Sequence, residues 1–363
     1  MEAGWPPVVG CCRMSLPFPP DVEVVIVAHN NLASLPEVLS ALEATGCPQR
    51  DITLVDIAST DGTPEWLATH YARVRHRRLD TNDGPGPGRN VGIREATRPF
   101  VLLMDGDVLV EHETVQRLHA AMVADRRVRI GSPVVVHASR PDTIQYAGGA
   151  IHFICEAVNP WIDRPLAERG VQPADIGAAP TCALLLDRQT AIDIGLFDER
   201  YFIGKEDGDF THRCCLAGFV IRELPDALVR HHSRPRGTWL FFYQIRNRWH
   251  FMLKNYQWRT LFLILPCLLI HEPLQFAVLV AKGHGLTYLK AVRGLLVMLP
   301  ALGRDRALTR RIRKVNDAAV LTCGELIVRR DLASNALVRL GKSAYDGFLI
   351  GYWKLLRATV LRG

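Results

Sequence analysis

Phe100-Val-Leu-Leu-Met-Asp-Gly-Asp-Val108 is the stretch on which the fold turns. A run this short and this apolar reads as a buried strand rather than a helix. It stops abruptly at two carboxylates, Asp105 and Asp107. Open α/β sheets bind their ligands at the carboxyl ends of strands, which is where this reading puts both side chains. Two neighbouring carboxylates repel each other unless a cation sits between them. Hard oxygen donors of this kind suit Mg²⁺ or Mn²⁺, with the phosphates of a substrate filling the remaining coordination positions.

Outward from that strand the pattern alternates. Asp21-Val-Glu-Val-Val-Ile-Val27 reads as a first strand. Ser34-Leu-Pro-Glu37 has the form of a capping box, followed by Leu35, Leu39 and Leu42 on one helical face. Ile52 to Ile57 is a second strand, and Thr63-Pro64-Glu65 opens another helix. Gly131–Val136, Cys182–Leu186 and Ala227–Val229 are further strands. Strands and helices alternating in this way predict a parallel sheet with helices on both faces. Gly84-Pro-Gly-Pro-Gly88 lacks Gly-Lys-Ser/Thr, and its prolines spoil a dinucleotide fingerprint. It is expected to be a shaped loop that lets Arg89 and Asn90 approach a ligand.

The net charge of +7 over 363 residues conceals a division. Residues 1–230 carry 22 Lys+Arg against 31 Asp+Glu, whereas residues 231–363 carry 22 against 6. A basic half can face nucleic acid or an anionic membrane. Here the arginines flank long apolar stretches, which favours the membrane over nucleic acid. Thr260–Ala281 is almost wholly apolar but holds His271-Glu272-Pro273, and Leu286–Leu302 is interrupted by Lys290 and Arg293. Neither is a clean span of roughly 20 apolar residues. A re-entrant hairpin or interfacial amphipathic helices fit better, and a buried helical subdomain is the competing reading. The basic cluster Arg304, Arg306, Arg310, Arg311, Arg313 and Lys314 lies beside these runs. Nine cysteines without metal spacing point to reduced thiols in a cytosolic setting. Residues 1–20 show no secretory signal and are expected to be a disordered tail.

Four segments then resemble, in order, the successive signatures of family 2 glycosyltransferases with the GT-A fold. They are Val24-Val-Ile-Val-Ala-His-Asn30, Leu54-Val-Asp-Ile-Ala-Ser-Thr-Asp-Gly-Thr63, Gly88-Arg-Asn-Val-Gly92 and Met104-Asp-Gly-Asp-Val108. Gly195-Leu-Phe-Asp-Glu199 and Lys205-Glu-Asp-Gly-Asp-Phe210 look like that family's acceptor-side segment. Arg246-Asn-Arg-Trp-His-Phe-Met-Leu-Lys-Asn255 adds a likeness to bacterial rhamnosyltransferase-like members. The resemblance covers roughly residues 21–235 and departs from the usual pattern at Ile57, where Asn is usual. It implies a Rossmann-like mixed sheet flanked by helices over residues 21–236. A basic, apolar helical region that associates with membrane follows over residues 237–363.

The resemblance also implies roles. His29, Asn30, Asp56, Asp61, Arg89, Asn90 and Asp105 are expected at the nucleotide-sugar, Asp56 accepting from a uracil or thymine imide. Asp61 equally suits a tight turn and a helix cap. Asp107 is the more direct metal ligand. Asp105 holds the ribose or reaches the metal through water. His231 completes the metal or diphosphate site, with His232 adjacent. Asp207 is the general base and Glu206 contacts the acceptor. Trp239, Arg246 and Arg248 belong to a loop over the site or to a membrane-facing helix.

The expected reaction is an inverting, Mg²⁺- or Mn²⁺-dependent transfer from dTDP-rhamnose or a UDP-sugar. The acceptor is a hydroxyl of a lipid-linked or cell-wall glycan at the cytoplasmic face of the membrane. Two alternatives stand beside it. One is a haloacid-dehalogenase-type phosphatase with Asp105 as nucleophile, and the other is an inactive GT-A binding module.

Overall fold

A computed structural model of the chain describes residues 16–233, 237–327 and 336–361. In chain order the first half runs β1 (Val22–Ala28), α1 (Leu35–Ala44), β2 (Ile52–Ile57), α2 (Thr63–His70), β3 (Arg75–Leu79), α3 (Pro85–Glu95) and β4 (Phe100–Asp105). After β4 come β5 (Val108–Val110), α4 (Thr114–Ala124), β6 (Val128–His137), β7 (Arg140–Tyr146), β8 (Ala150–His152), β9 (Ala157–Val158) and β10 (Ala174–Ile176). The sheet half closes with β11 (Ala183–Asp187), α5 (Arg188–Asp193), α6 (Glu206–Leu216) and β12 (Val220–His231).

The main sheet has the order β10-β12-β6-β11-β4-β1-β2-β3, with β5 on β12 and β7 on β6. β4, β1, β2 and β3 are mutually parallel, and β11 runs antiparallel to both β4 and β6. The chain leaves β1 toward β2 and β3, then returns to its other side as β4. The strand order therefore reverses between β1 and β4, the position where open α/β sheets form their ligand crevice. His29 and Asp105 stand at the two carboxyl ends that flank it. β12 is longer than Ala227–Val229 and carries an irregularity between Leu224 and Leu228. Pro225, which has no N–H to give the ladder, lies within that irregularity.

Burial follows the alternation of the strands. Val24 and Ile26 point into one core, while Val25 and Val27 point into the other. Leu35, Leu39 and Leu42 are fully buried, as their helical spacing predicts.

Three local expectations are corrected. Ser34 forms no capping box: its hydroxyl donates to the Asn31 and Gly106 carbonyls, bracing the turn after β4 instead of the α1 terminus. Pro85 to Gly88 is no loop but the first turn of α3, where proline loses no needed hydrogen bond. Its glycines let this helix lie close on the sheet. A Cβ at Gly92 would sit 2.2 Å from Val25 Cγ1, and one at Gly88 3.1 Å from Val27 Cγ1. Finally, Phe18, within the expected tail, is buried in the core, and residues 1–15 of that tail lie outside the described residues. Cys11 and Cys12 lie there too, while the seven described cysteines are free thiols.

The second half is helical: α7 (Leu240–Asn255), α8 (Trp258–Ala281), α9 (Gly285–Met298), α10 (Leu302–Ile312), α11 (Asp317–Val320) and, after the short strand β13 (Leu321–Thr322), α12 (Ala336–Leu361). β13 joins β8 and β9 in a small separate sheet. Phe251, Tyr256, Ile264, Leu321 and Trp353 share one core with Ile151 and Phe153, so the helices are packed onto the sheet half rather than tethered to it. Trp258–Ala281 and Gly285–Ile312 are long and apolar enough to cross a membrane, yet only 28% and 11% of their most apolar windows are buried. His271 and Glu272, in the middle of α8, turn inward. Glu272 receives Arg248 and the Tyr288 hydroxyl (2.6 Å), and His271 Nδ1 pairs with the Tyr345 hydroxyl at 3.0 Å. Phe262, Leu265, Leu269 and Leu274 point outward.

Candidate active site

The crevice between the ends of β1 and β4 gathers most of the sequence-derived candidates. Arg89, on the first turns of α3, is buried and reaches two carboxylates at once. Its Nη2 donates to Asp105 Oδ1 at 2.8 Å, and its Nη1 to Asp207 Oδ1 at 3.1 Å. Burial raises the pKa of the Asp105 carboxyl, with Arg89 opposing the shift and Asp107 adding to it. The same carboxylates push the Arg89 guanidinium up, so it stays charged. The pair therefore needs this buried cation to remain in one place.

Asp207 begins α6 and takes a second bond on Oδ1 from the Thr181 hydroxyl. Both bonds fall on one oxygen, and Oδ2 accepts none among the described residues. A carboxylate held on one side and open on the other is arranged to take a proton. Its ladder neighbour explains Thr181: Asp105 N–H donates to the Cys182 carbonyl at 2.9 Å, so β11 delivers Thr181 beside β4. Thr181 escapes sequence reading. The one available signal is its position just before the strand Cys182–Leu186.

Asp107 follows β4 and faces His231, the last residue of β12, with Nε2 3.5 Å from Oδ1. Pairing of β12 with β5, His231 against Val108, sets this approach. His231 Nδ1 donates to Gln145 Oε1 at 3.0 Å, which leaves Nε2 as the nitrogen aimed at Asp107. The donor set of one carboxylate and one imidazole fits a divalent cation that also holds phosphate oxygens. Among the described residues no cluster of three His, Cys, Asp or Glu side chains forms a closed metal cage. Such a set suits an ion arriving with its substrate. His232 pairs instead with Glu37 at 3.3 Å.

The β1 and β2 ends are knitted together. Asn30, at φ 53°, donates its N–H to Ser59 Oγ and accepts from Thr60 N–H at 2.8 Å. His29 Nδ1 donates to the Ile57 carbonyl at 2.6 Å. Asp56 is fully buried, bonded by Ser59 N–H and Arg78. Asp61 accepts from Leu32 N–H and from Thr63, hydrogen bonds that hold its carboxyl below its ordinary value despite partial burial. Asn90 is buried, and its side chain is bonded to the Phe197 backbone and to Glu199. Glu206 is buried beside Asp207 on α6. Arg78, Thr181 and Gln145 are the site residues that sequence patterns leave unnamed.

Comparisons with known proteins bear on the family and the fold. The model of "Glycosyl transferase family 2" matches residues 23–186. The undecaprenyl-phosphate mannosyltransferase of Micrococcus luteus is 33% identical over 222 residues, 57% of this chain and 83% of that protein. The N-acetylglucosaminyl-diphospho-decaprenol L-rhamnosyltransferase of Mycobacterium tuberculosis is 29% identical over 235 residues, 58% of this chain and 75% of that protein. Among solved structures, GalNAc-T7 with UDP, GalNAc and Mn²⁺ superposes with a TM-score of 0.52 at 17% identity, over 65% of this chain and 48% of that one. TarS of S. aureus with UDP-GlcNAc gives 0.50 at 17% identity, over 82% and 90%. The structural likenesses speak to the fold, a mixed α/β sheet of GT-A type, and the present chain spans about half of the GalNAc-T7 chain. Fold, ordered motifs and relatives converge: the chain belongs to glycosyl transferase family 2 and is a glycosyltransferase.

Proposed function

We propose that the chain transfers a sugar, with inversion, from a nucleoside-diphosphate donor to a hydroxyl of a lipid-linked or cell-wall glycan. The observation that carries this reading is the Asp105–Arg89–Asp207 bridge, which ties the carboxylate of the nucleotide-sugar crevice to the candidate base across one buried guanidinium. Residues 21–236 are the catalytic unit in this reading, and residues 237–363 dock it to the cytoplasmic face of the membrane.

In this reading Asp56, at the end of β2, is the carboxylate that a pyrimidine imide N–H would meet once Arg78 or Ser59 yields to it, a contact that dTDP-rhamnose and a UDP-sugar both satisfy. Asp107 and His231 would hold Mg²⁺ or Mn²⁺, with Asp105 beside them. A cation held there would supply positive charge to the departing diphosphate. Asp207 Oδ2 takes the proton of the acceptor hydroxyl while Arg89 and Thr181 fix the carboxylate's plane. Glu206 contacts the acceptor. Direct attack on the anomeric carbon from the face opposite the diphosphate gives inversion by a single displacement.

The relatives that act on decaprenol- and undecaprenyl-linked compounds support a lipid-linked acceptor. So do the outward-facing apolar side chains of α8 and α9 beside the basic α10. Binding of UDP and dTDP, followed by thermal shift with and without Mn²⁺, tests the donor assignment. Metal-dependent stabilisation by one of them is expected. A well-folded protein that responds to neither overturns it.

A further inference from the structure

A cavity of about 530 Å³ opens between α7, α9 and α10, away from the crevice. Its walls are of two kinds. Arg200, Arg246 and Arg304 supply guanidiniums, while Gly294, Val297 and Met298 supply apolar surface. Its volume lies within the roughly 300–1,000 Å³ typical of ligand sites.

The three arginines differ in what they already hold. Arg200 is neutralised by Asp198 and Asp305. Arg246 and Arg304 pair with no carboxylate among the described residues. Arg246 is locked nonetheless: it lies over the Phe242 and Tyr243 rings at 5.3 and 5.1 Å and donates to Asn247 Oδ1 and the Arg200 carbonyl. Burial pushes its guanidinium down, the signature of a cation that lacks its anion. A preorganised guanidinium with free donors is suited to phosphate. The apolar side of the cavity continues outward, because Val297 is 76% and Leu296 58% exposed. An anion site opening onto bare apolar helix matches a molecule with a phosphate head and a hydrocarbon tail.

The cavity also connects to the chemistry. Arg200 lies six residues before Glu206, and six residues of chain span at most about 20 Å. Along that segment the chain is clamped to α7, by Asn247 on the Ile203 and Gly204 carbonyls and by Phe202 against Tyr243.

We infer that this cavity seats the phosphate end of the lipid-linked acceptor, with Arg246 and Arg304 on the phosphate or diphosphate and the lipid leaving over Val297 along α9. The inference rests on the acceptor class proposed above. It assigns specificity to a site outside the donor crevice, and it makes the lipid carrier, not the glycan alone, a recognised part of the substrate.

Farnesyl diphosphate, below its micellar concentration and with excess UDP or dTDP and Mn²⁺ blocking the donor crevice, is the probe for calorimetry. It should bind, with farnesol and inorganic pyrophosphate each at least tenfold weaker. R304Q alters an exposed, unpaired side chain and should retain the wild-type melting curve. It should weaken farnesyl diphosphate at least tenfold, and G294L, whose side chain meets the Phe242 ring and the Arg246 stem and so displaces the Arg246 guanidinium, should do the same. The metal-dependent nucleotide response should stay unchanged in both. Wild-type affinity in R304Q and G294L overturns the inference, as does pyrophosphate binding as tightly as farnesyl diphosphate. Loss of binding to phosphatidylglycerol vesicles with farnesyl diphosphate binding intact also overturns it, and names a membrane headgroup as occupant. Failure of the nucleotide response in wild type is a separate result that strikes the donor reading instead.

Discussion

The two halves of the molecule are solvated in opposite ways. Among the described residues, four large apolar side chains stand exposed before residue 234 and eighteen after it. Both halves bury charge, Asp56, Arg89 and Arg213 in the first and Arg248, Lys254 and Asp317 in the second, so the contrast lies in the exposed apolar side chains. A surface facing water throughout does not gather them on one half. The sheet half shows solvent a mostly polar surface, and the helical half shows it an apolar one. The charges inside the helical half have partners, Arg248 with Glu272 and Lys254 with Asp198 and Asp209, so they specify packing without facing outward. α6 sits on the boundary between the two. It carries Asp207 at its start, while Asp209, two residues on, accepts from Lys254 and Asn255 of α7.

The largest effects should come from the polar half. Asp207→Asn keeps the shape and removes the base, so transfer should fall by about 10² to 10⁴. Donor-nucleotide affinity should stay within twofold. Near-normal turnover with unchanged donor binding sinks the base assignment. Arg89→Gln is next. It leaves Asp105 and Asp207 without their shared cation; both carboxylates are about a third exposed, so water takes up part of the loss and the cost should be about 1–3 kcal/mol. Denaturant unfolding measures it directly. A loss below about 1 kcal/mol means that water already compensates the two carboxylates.

These predictions rest on contacts that local sequence pattern reveals unevenly. Asp105 and Asp107 are legible because a short apolar run ending in acids has few other meanings. The sheet is legible for the same reason: period and length report burial. Arg89 is legible as a site residue but not as a bridge, because its partner Asp207 lies 118 positions away. Thr181 and Gln145 are invisible, since a Thr or Gln in an irregular connection carries no pattern. Ser34 misleads in a specific way. Its motif promises a local cap, and a carbonyl 72 residues distant wins the hydroxyl instead. Gly84–Gly88 misleads because glycine and proline punctuate loops on average. Here the tight approach of α3 to Val25 and Val27 requires glycine. In the helical half, outward-facing apolar residues are legible only as apolar runs. Which side faces out depends on where Glu272 and His271 find partners.

A third prediction sits at the boundary. His212 on α6 is buried against the Phe251 and Tyr256 rings, and neither nitrogen has a hydrogen-bond partner among the described residues. Burial pushes its pKa down to about 4. The unfolded ring titrates near 6.5. Between those values the unfolded chain binds a proton that the folded chain refuses. Stability from this residue is therefore fully present above pH 6.5 and falls as the pH drops toward 4. Between pH 7 and pH 5 the loss should be about 2 kcal/mol, and His212→Leu should remove that part of the slope. An identical pH dependence in the variant shows that α6 opens to water before the ring titrates.

The smallest effect per residue bears most directly on the contrast between the halves. Leu269 and Val297 are 66% and 76% exposed on α8 and α9. Neither supports the fold, so Leu269→Glu and Val297→Glu should leave the melting curve within about 0.5 kcal/mol of wild type. If lipid covers this face, each loses the burial of one aliphatic side chain, worth about 1.5–3 kcal/mol. Co-sedimentation with phosphatidylglycerol vesicles should then weaken at least tenfold per substitution, because about 1.4 kcal/mol is a factor of ten. A matched Val123→Glu on the exposed side of α4 supplies the reference, since that helix belongs to the water-facing half. Equal losses from all three would dissolve the contrast. Unchanged vesicle binding by Leu269→Glu and Val297→Glu, together with a shift from oligomer to monomer in sedimentation, would reassign the apolar face to contact between protein chains. Salt gives the last discrimination: basic α10 beside an anionic bilayer predicts vesicle binding that falls as ionic strength rises, and contact between two apolar faces does not.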